Sequence, residues 1–96
     1  MSIYRKAAKR DENEPEVIDG LKWAGFTVTQ LSAKGVPDLL AGRNGVNYLI
    51  EVKMPKKKLT PDQVEWHDEW LGMKPIILRS FEEAIEWANS LRRDAA

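Results

Sequence analysis

The sequence contains no cysteine, a single histidine and no excess of charge of either sign. The absence of cysteine excludes disulfides, thiolate zinc sites and cysteine nucleophiles. No hydrophobic run is long enough to span a membrane, and the first residues do not form a signal-peptide pattern. We therefore expect a cytoplasmic protein with no membrane partner.

Fifteen basic and fifteen acidic residues cancel, and the isoelectric point is about 6.6. Small nucleic-acid-binding proteins are usually basic, so this balance is unusual for that class. The basic residues are clustered, however, within residues 5–10 and again within residues 53–58. A local basic patch can bind phosphate groups in a molecule with no net charge. The phosphate-binding candidates are Lys9, Arg10, Lys56, Lys57 and Lys58.

The length of 96 residues predicts one domain over residues 11–96, preceded by a basic arm over residues 1–10. Hydrophobic periodicity predicts helices over residues 11–24, 60–71 and 80–91, and strands over residues 26–31 and 75–79. Asp11 with Glu14 forms a capping pattern for the first helix, and Thr60 with Gln63 forms a capping box for the second. The second helix should bury one apolar face, formed by Val64, Trp66, His67, Trp70 and Leu71.

Between these elements, Asn44-Gly45 is flanked by two apolar runs and predicts a β-hairpin with a type I′ turn. That turn fixes the register, so that Asp38 faces Glu51 across the two strands. Lys53 is two residues beyond Glu51, and alternate residues of a strand share one face. The element order αβββαβα therefore predicts an α/β fold with a mixed four-stranded sheet and a C-terminal helix.

Two carboxylates directly opposite each other repel, and the strand that contains Glu51 is otherwise apolar on both faces. Burying Asp38 and Glu51 together is costly unless a cation compensates their charge. Carboxylate oxygens, with the backbone carbonyl of Val52, are ligands that Mg²⁺ prefers. The residues thus predict a divalent metal site, and the alternative is a pair of acids at a strand edge facing water.

Pro37-Asp38 followed by Glu51-Val52-Lys53 resembles the signature of the PD-(D/E)xK nuclease superfamily. Together with the flanking residues 35–40 and 49–50 and with Gln63, it resembles the stand-alone virus-type replication-repair nuclease (VRR-NUC) domain, and more distantly the archaeal Holliday-junction resolvases. The resemblance covers about residues 11–87. It implies a restriction-endonuclease-like αβββαβ core and Mg²⁺-dependent hydrolysis of DNA, with Mn²⁺ as a substitute and no nucleotide cofactor. It also implies a homodimer that cuts branched DNA during repair in a bacterial or phage-infected cell.

The resemblance further implies catalytic roles for Lys53, Glu14 and Gln63. Lys53 would orient the attacking water or offset charge on the phosphate. Glu14 would assist the metal site, and the alternative is that it is only an acid that favours the helix N-terminus. Glu16 would take the role of Glu14 if the register of the helix is shifted by two residues. Gln63 lies where such nucleases place a glutamine near the active site.

His67 is either a packed, hydrogen-bonded histidine or a base. Core or interface packing is the expected role of the four tryptophans, and base stacking is the alternative. Two other functions remain open: a non-catalytic DNA-binding or repair adaptor on the same fold, and an unrelated α/β protein with a plain ion pair between Glu51 and Lys53. Flap or nick cleavage is a further nuclease alternative.

Overall fold

The structure is a computed structural model that describes the backbone of residues 10–95 and the side chains of residues 10–91. Of the predicted basic arm, only Arg10 falls within this range, and Lys9 lies outside the described residues. The described elements are α1 (Glu14–Trp23), β1 (Thr27–Gln30), β2 (Leu39–Arg43), β3 (Val46–Val52), α2 (Pro61–Glu69), β4 (Ile76–Leu78) and α3 (Phe81–Ala95). None of these helices is both long and apolar enough to cross a membrane.

The four strands form one sheet in the order β1-β2-β3-β4. The β1–β2 and β2–β3 pairs are antiparallel, whereas β4 runs parallel to β3. A parallel neighbour requires a crossover, and α2 supplies it between β3 and β4. The predicted mixed four-stranded sheet, the order of elements and the C-terminal helix are confirmed.

The β2–β3 hairpin has the predicted register, with Arg43 opposite Val46 and Leu39 opposite Ile50. Its turn residues Asn44 and Gly45 have φ angles of 57° and 77°. A type I′ turn requires positive φ at both central positions, which is why Asn-Gly specifies it. This register brings residue 38 to the level of residue 51.

The core lies between the sheet and the pair formed by α1 and α3, and its largest fully buried apolar side chains are Leu21, Leu39 and Ile50. The two helices approach closely at Gly20, where a Cβ atom would lie 2.7 Å from the carbonyl oxygen of Phe81. Any larger residue at position 20 would push α3 away. This packing fixes α1, and therefore its N-terminal acids, relative to the sheet.

The predicted start of the first helix is wrong, because α1 begins at Glu14 rather than at Asp11. Asn13 occupies the N-cap position, and its side chain makes no capping hydrogen bond. Its amide Nδ2 instead donates to the backbone carbonyls of Lys53, at 2.9 Å, and Arg79, at 2.8 Å. Asn13 thus ties α1 to the ends of β3 and β4, and this tertiary role replaces the local cap.

The predicted apolar face of the second helix is also wrong. The Thr60–Gln63 capping box is present, but α2 contains no buried residue and ends at Glu69. Leu71 lies beyond the helix and is 98% exposed, and Trp70 is also exposed. Trp66 and Trp70 stack on each other rather than on the core. The periodic pattern predicts the helix correctly, but it does not tell whether another element packs on the apolar face. Among the described residues, none of this helix is buried.

The four tryptophans divide between packing and exposure. Trp87 stacks on Phe26 with ring centroids 5.3 Å apart and packs against the core, as expected. Trp23, by contrast, is 79% exposed at the end of α1.

Candidate active site

Asp38 and Glu51 meet where β2 and β3 part. The β2–β3 pairing ends, at the end away from the turn, with Leu39 opposite Ile50. No residue of β2 therefore pairs with Val52 of β3. The backbone N–H of Val52 donates instead to the carboxylate Oδ2 of Asp38 at 2.8 Å. The backbone carbonyl of Asp38 accepts the N–H of Leu31 at 2.8 Å. Asp38 is therefore held from both sides at the edge of the sheet.

The carboxyl group of Glu51 is almost completely buried, with its side chain 2% exposed. Gln63 Nε2 donates to Oε2 at 3.2 Å, and His67 Nε2 lies 3.0 Å from Oε1. Burial, followed by the adjacent Asp38, raises the pKa of Glu51 to about 8, although Lys53 acts in the opposite direction. The carboxyl group therefore retains its proton at neutral pH.

Lys53 follows β3 directly and is buried, with 9% of its surface exposed. Its Nζ donates to Oε1 of Gln63 at 3.0 Å. The same oxygen accepts the backbone N–H of Thr60 at 2.9 Å, and the backbone N–H of Gln63 donates to Thr60 Oγ1 at 3.2 Å. The capping box therefore fixes Gln63 while its amide contacts both Glu51 and Lys53. The local cap and the contacts with the site residues are both present.

Glu14 is the α1 acid that points toward this site, and it is 1% exposed. Gln30 Nε2 donates to its Oε2 at 2.7 Å. Burial raises the pKa of Glu14, and nearby Asp38 adds to the rise while Gln30 and Arg10 oppose it. Glu16 is exposed and accepts the backbone N–H of Phe81 at 3.1 Å, at the start of α3. The structure thus places Glu14, and not Glu16, beside the site.

Arg10, predicted to contact DNA, lies between two of the acids. Its Nη1 is 3.5 Å from Glu14 Oε1 and 3.7 Å from Asp38 Oδ1, and its Nη2 donates to the carbonyl of Leu31 at 2.7 Å. A cavity of about 160 Å³ opens here and is lined by Arg10, Leu31, Ser32, Ala33, Gly35, Val36, Asp38, Glu51 and Gln63. A run of basic residues in the sequence does not reveal this pairing.

The other basic candidates lie beyond Lys53. Lys56, Lys57 and Lys58 are exposed in the segment between β3 and α2. Lys56 has a φ angle of 70°, and the carbonyl of Lys57 accepts a hydrogen bond from Arg79 Nη2 at 2.9 Å. This lysine segment is therefore held near the site with its side chains in solvent.

His67 is a site residue whose contact the sequence analysis did not identify. Burial lowers the pKa of His67 and is the largest effect. Asp68 acts in the opposite direction, and Lys74 lowers the pKa further. Its contact with Glu51 could have been suspected from its spacing, because residues four apart share a helix face and Gln63 is four residues earlier.

The oxygen donors at this site suit a divalent ion. Among residues with described side chains, no three His, Cys, Asp or Glu groups come close enough to hold an ion by themselves. The oxygen atoms that could hold such an ion are those of Asp38, Glu51 and the backbone carbonyl of Val52. In an extended strand the N–H and C=O of one residue point the same way, so the Val52 carbonyl faces the Asp38 side. Mg²⁺ commonly binds one or two carboxylates and retains several waters, so the donor set fits.

Comparison with known proteins identifies the fold. No protein-family model and no curated protein matches the chain. A solved structure described as a VRR_NUC domain matches with a TM-score of 0.63 and 22% sequence identity, covering 86% of this chain and 92% of that chain. Likeness at this identity establishes the fold and leaves the activity to be tested. The chain has the fold of a VRR-NUC domain, as its motifs predicted.

Proposed function

We propose that this chain is a Mg²⁺-dependent endonuclease that hydrolyses phosphodiester bonds in DNA. The observation that carries the proposal is the buried carboxyl group of Glu51 next to the partly exposed Asp38, with the buried Lys53 beside them. Such a pair is unfavourable in a plain structural protein unless a cation binds it. The likeness to a VRR_NUC domain supports the same conclusion through the fold.

Asp38, Glu51 and the Val52 carbonyl would hold the metal. The bound ion would polarise the scissile phosphate and lower the pKa of a bound water toward neutrality. Lys53 would orient the attacking water or stabilise the negative charge that develops on the phosphate. Its hydrogen bond to Gln63 fixes the position of its ammonium group before substrate arrives. No residue needs to form a covalent intermediate.

The lysine segment supports DNA binding next to this site. Lys56, Lys57 and Lys58 would contact phosphates of the DNA backbone, which gives affinity without reading sequence. Lys9 remains a candidate for the same role. Arg10 is a weaker candidate than the sequence indicated, because its guanidinium already pairs with Glu14 and Asp38.

For the substrate we propose branched DNA cut by a homodimer, and the resemblance to junction resolvases is the main support. A domain of this size has little surface for reading bases, which favours recognition of DNA shape. Two subunits would place two active sites about a two-fold axis, as a four-way junction requires. The exposed Trp70 and Leu71 provide apolar surface that a second copy could cover.

A cleavage assay tests the proposal. Labelled four-way junction, flap, nicked duplex, linear duplex and single strand would each be incubated with Mg²⁺, Mn²⁺ or EDTA, using wild type, Asp38→Asn and Lys53→Met. We expect metal-dependent, symmetric cuts in the junction and their loss in both variants. Cutting of every substrate would retain the chemistry and reject the junction preference. Binding without any cutting would reject the nuclease and favour an adaptor.

Sedimentation of the protein with and without junction DNA tests the homodimer separately. An 11 kDa monomer at micromolar concentration with junction present would contradict it.

A further inference from the structure

Arg10 supplies a fixed positive charge on one side of the candidate metal site. Its guanidinium lies within 4 Å of carboxylate oxygens of both Glu14 and Asp38, and its other nitrogen is anchored on the Leu31 carbonyl. An arginine remains protonated in proteins, so this charge does not disappear as pH changes. The arginine therefore compensates these acids whether or not a metal is present.

The site acids Glu14 and Glu51 have different neighbours. On the Glu51 side, the carboxyl group contacts the amide of Gln63 and the ring of His67. On the Glu14 side, Oε1 is buried, has no hydrogen-bond partner among the described residues and lies 3.5 Å from Arg10 Nη1. The Glu14 side therefore already has a fixed cation beside its buried carboxylate, whereas the contacts of Glu51 with Gln63 and His67 include no fixed cation.

We propose that Arg10 takes the place of a second metal ion, so that each chain binds one divalent ion, between Asp38 and Glu51. This inference rests on the proposed function, because it specifies the metal content of the same site. A divalent ion bound to Glu14 would lie against the guanidinium, and two like charges at that separation repel strongly. Arg10 is then a positioning residue, which holds Asp38 and Glu14 through charge without binding DNA.

The number of bound Mn²⁺ ions tests this inference without measuring activity. Calorimetry, with the electron paramagnetic resonance signal of free Mn²⁺ as a second readout, would count the ions bound per chain. We expect one ion in wild type and two in Arg10→Gln, because Glu14 and Asp38 then lose their cation. Arg10→Lys retains a charge and should bind one ion.

Two controls separate the role of Arg10 from general effects. Arg79→Gln removes another partly buried arginine, whose guanidinium contacts a backbone carbonyl and no described carboxylate, and it should leave the count at one. Arg10→Gln combined with Glu14→Gln should return the count from two to one. If Arg10→Gln fails to fold, Glu14→Gln still tests the inference, because a lower count in this variant than in wild type would show that Glu14 binds an ion beside Arg10.

The possible failures are distinguishable. Two ions in wild type, one ion in folded Arg10→Gln, or loss of an ion in Glu14→Gln would overturn the inference and leave the nuclease proposal standing. No bound ion in any variant would overturn the metal centre itself, and this inference with it.

Discussion

The Nε2 atom of His67 lies 3.0 Å from Oε1 of Glu51, so the single histidine of the chain contacts the buried carboxyl group of the central strand. This contact and the one from Gln63 join α2 to β3, although α2 buries no residue of its own. The helix is thus held at the site by polar contacts rather than by an apolar face.

Replacing His67 with alanine should weaken metal binding. Glu51 Oε1 would lose its partner, and groups that orient a metal ligand typically contribute about 10–100-fold in affinity. Leaving a buried oxygen unpaired should also lower the free energy of unfolding by about 1–3 kcal/mol. Calorimetric titration with Mn²⁺ and urea denaturation measure the two effects. Asp68→Ala, at the next and exposed position, is the control, and equal Mn²⁺ affinities in both variants would contradict the role of His67.

The raised pKa of Glu51 predicts that the metal-free protein loses stability as pH rises. Between the ordinary value of 4.5 and about 8, the folded protein binds more protons at this group than the unfolded chain does. The stabilising contribution is complete below pH 4.5 and is lost as pH rises through about 8. A tenfold difference in proton affinity corresponds to about 1.4 kcal/mol, so the loss should reach a few kcal/mol.

Urea denaturation in EDTA between about pH 7 and 9 measures this loss of stability. That range avoids the opposite contribution of His67, whose lowered pKa makes stability rise with pH near and below 6.5. The Glu51→Gln variant is the control and should show a much flatter dependence. Equal slopes in the two proteins would show that Glu51 is not the titrating group. Saturating Mg²⁺ should reduce the wild-type slope, because the ion displaces the proton.

The Gln63→Glu variant distinguishes the helix-capping role of Gln63 from its contacts with Glu51 and Lys53. A glutamate at this position retains the capping box with Thr60, so the stability of α2 should change little. It removes the amide that donates to Glu51 and places a second carboxylate there, so cleavage should fall by about 10–100-fold. Initial cleavage rates and thermal denaturation measure both. Thr60→Ala is the complementary variant, since it should cost about 0.5–2 kcal/mol of stability. Full activity of the Gln63→Glu variant would show that Gln63 caps the helix and does not contribute to cleavage.

The lysine segment should control the salt dependence of DNA binding. Changing Lys56, Lys57 or Lys58 to alanine removes one cation that binds a phosphate, so each change should reduce the slope of log K against log salt by about one. Affinity should fall similarly for all DNA sequences. Fluorescence anisotropy at several salt concentrations measures the slope, with Lys34→Ala, in another exposed loop, as the control. Unchanged slopes in all three variants would place the phosphate-binding residues elsewhere.

The hairpin and the residues it brings together could be predicted because local chemistry determines them. Asn44-Gly45 allows one tight turn, and that turn fixes which residues of β2 and β3 are paired. The closeness of Asp38 and Glu51 followed from this register. Gln63 was placed by its motif, and the capping box at the start of the crossover helix α2 positions it for its contacts with Glu51 and Lys53.

The remaining site contacts depend on tertiary placement, which periodicity does not contain. Arg10 lies before the first helix, and its pairing with Asp38 requires knowing how α1 sits against the sheet. Asn13 occupies the N-cap position of α1, yet its amide donates to backbone carbonyls just beyond β3 and β4, far away in the sequence. The apolar residues around Trp70 form a regular helical pattern, but no described element covers them.

The initial rate of Mg²⁺-dependent cleavage of a labelled four-way junction, compared between wild type and Glu51→Gln, tests the central claim most directly. Glutamine retains the shape of the side chain and removes the charge that would hold the ion. We predict cleavage by wild type that stops in EDTA, and a rate for Glu51→Gln lower by at least about 100-fold. Equal rates for the two proteins, or cleavage that persists in EDTA, would contradict the account.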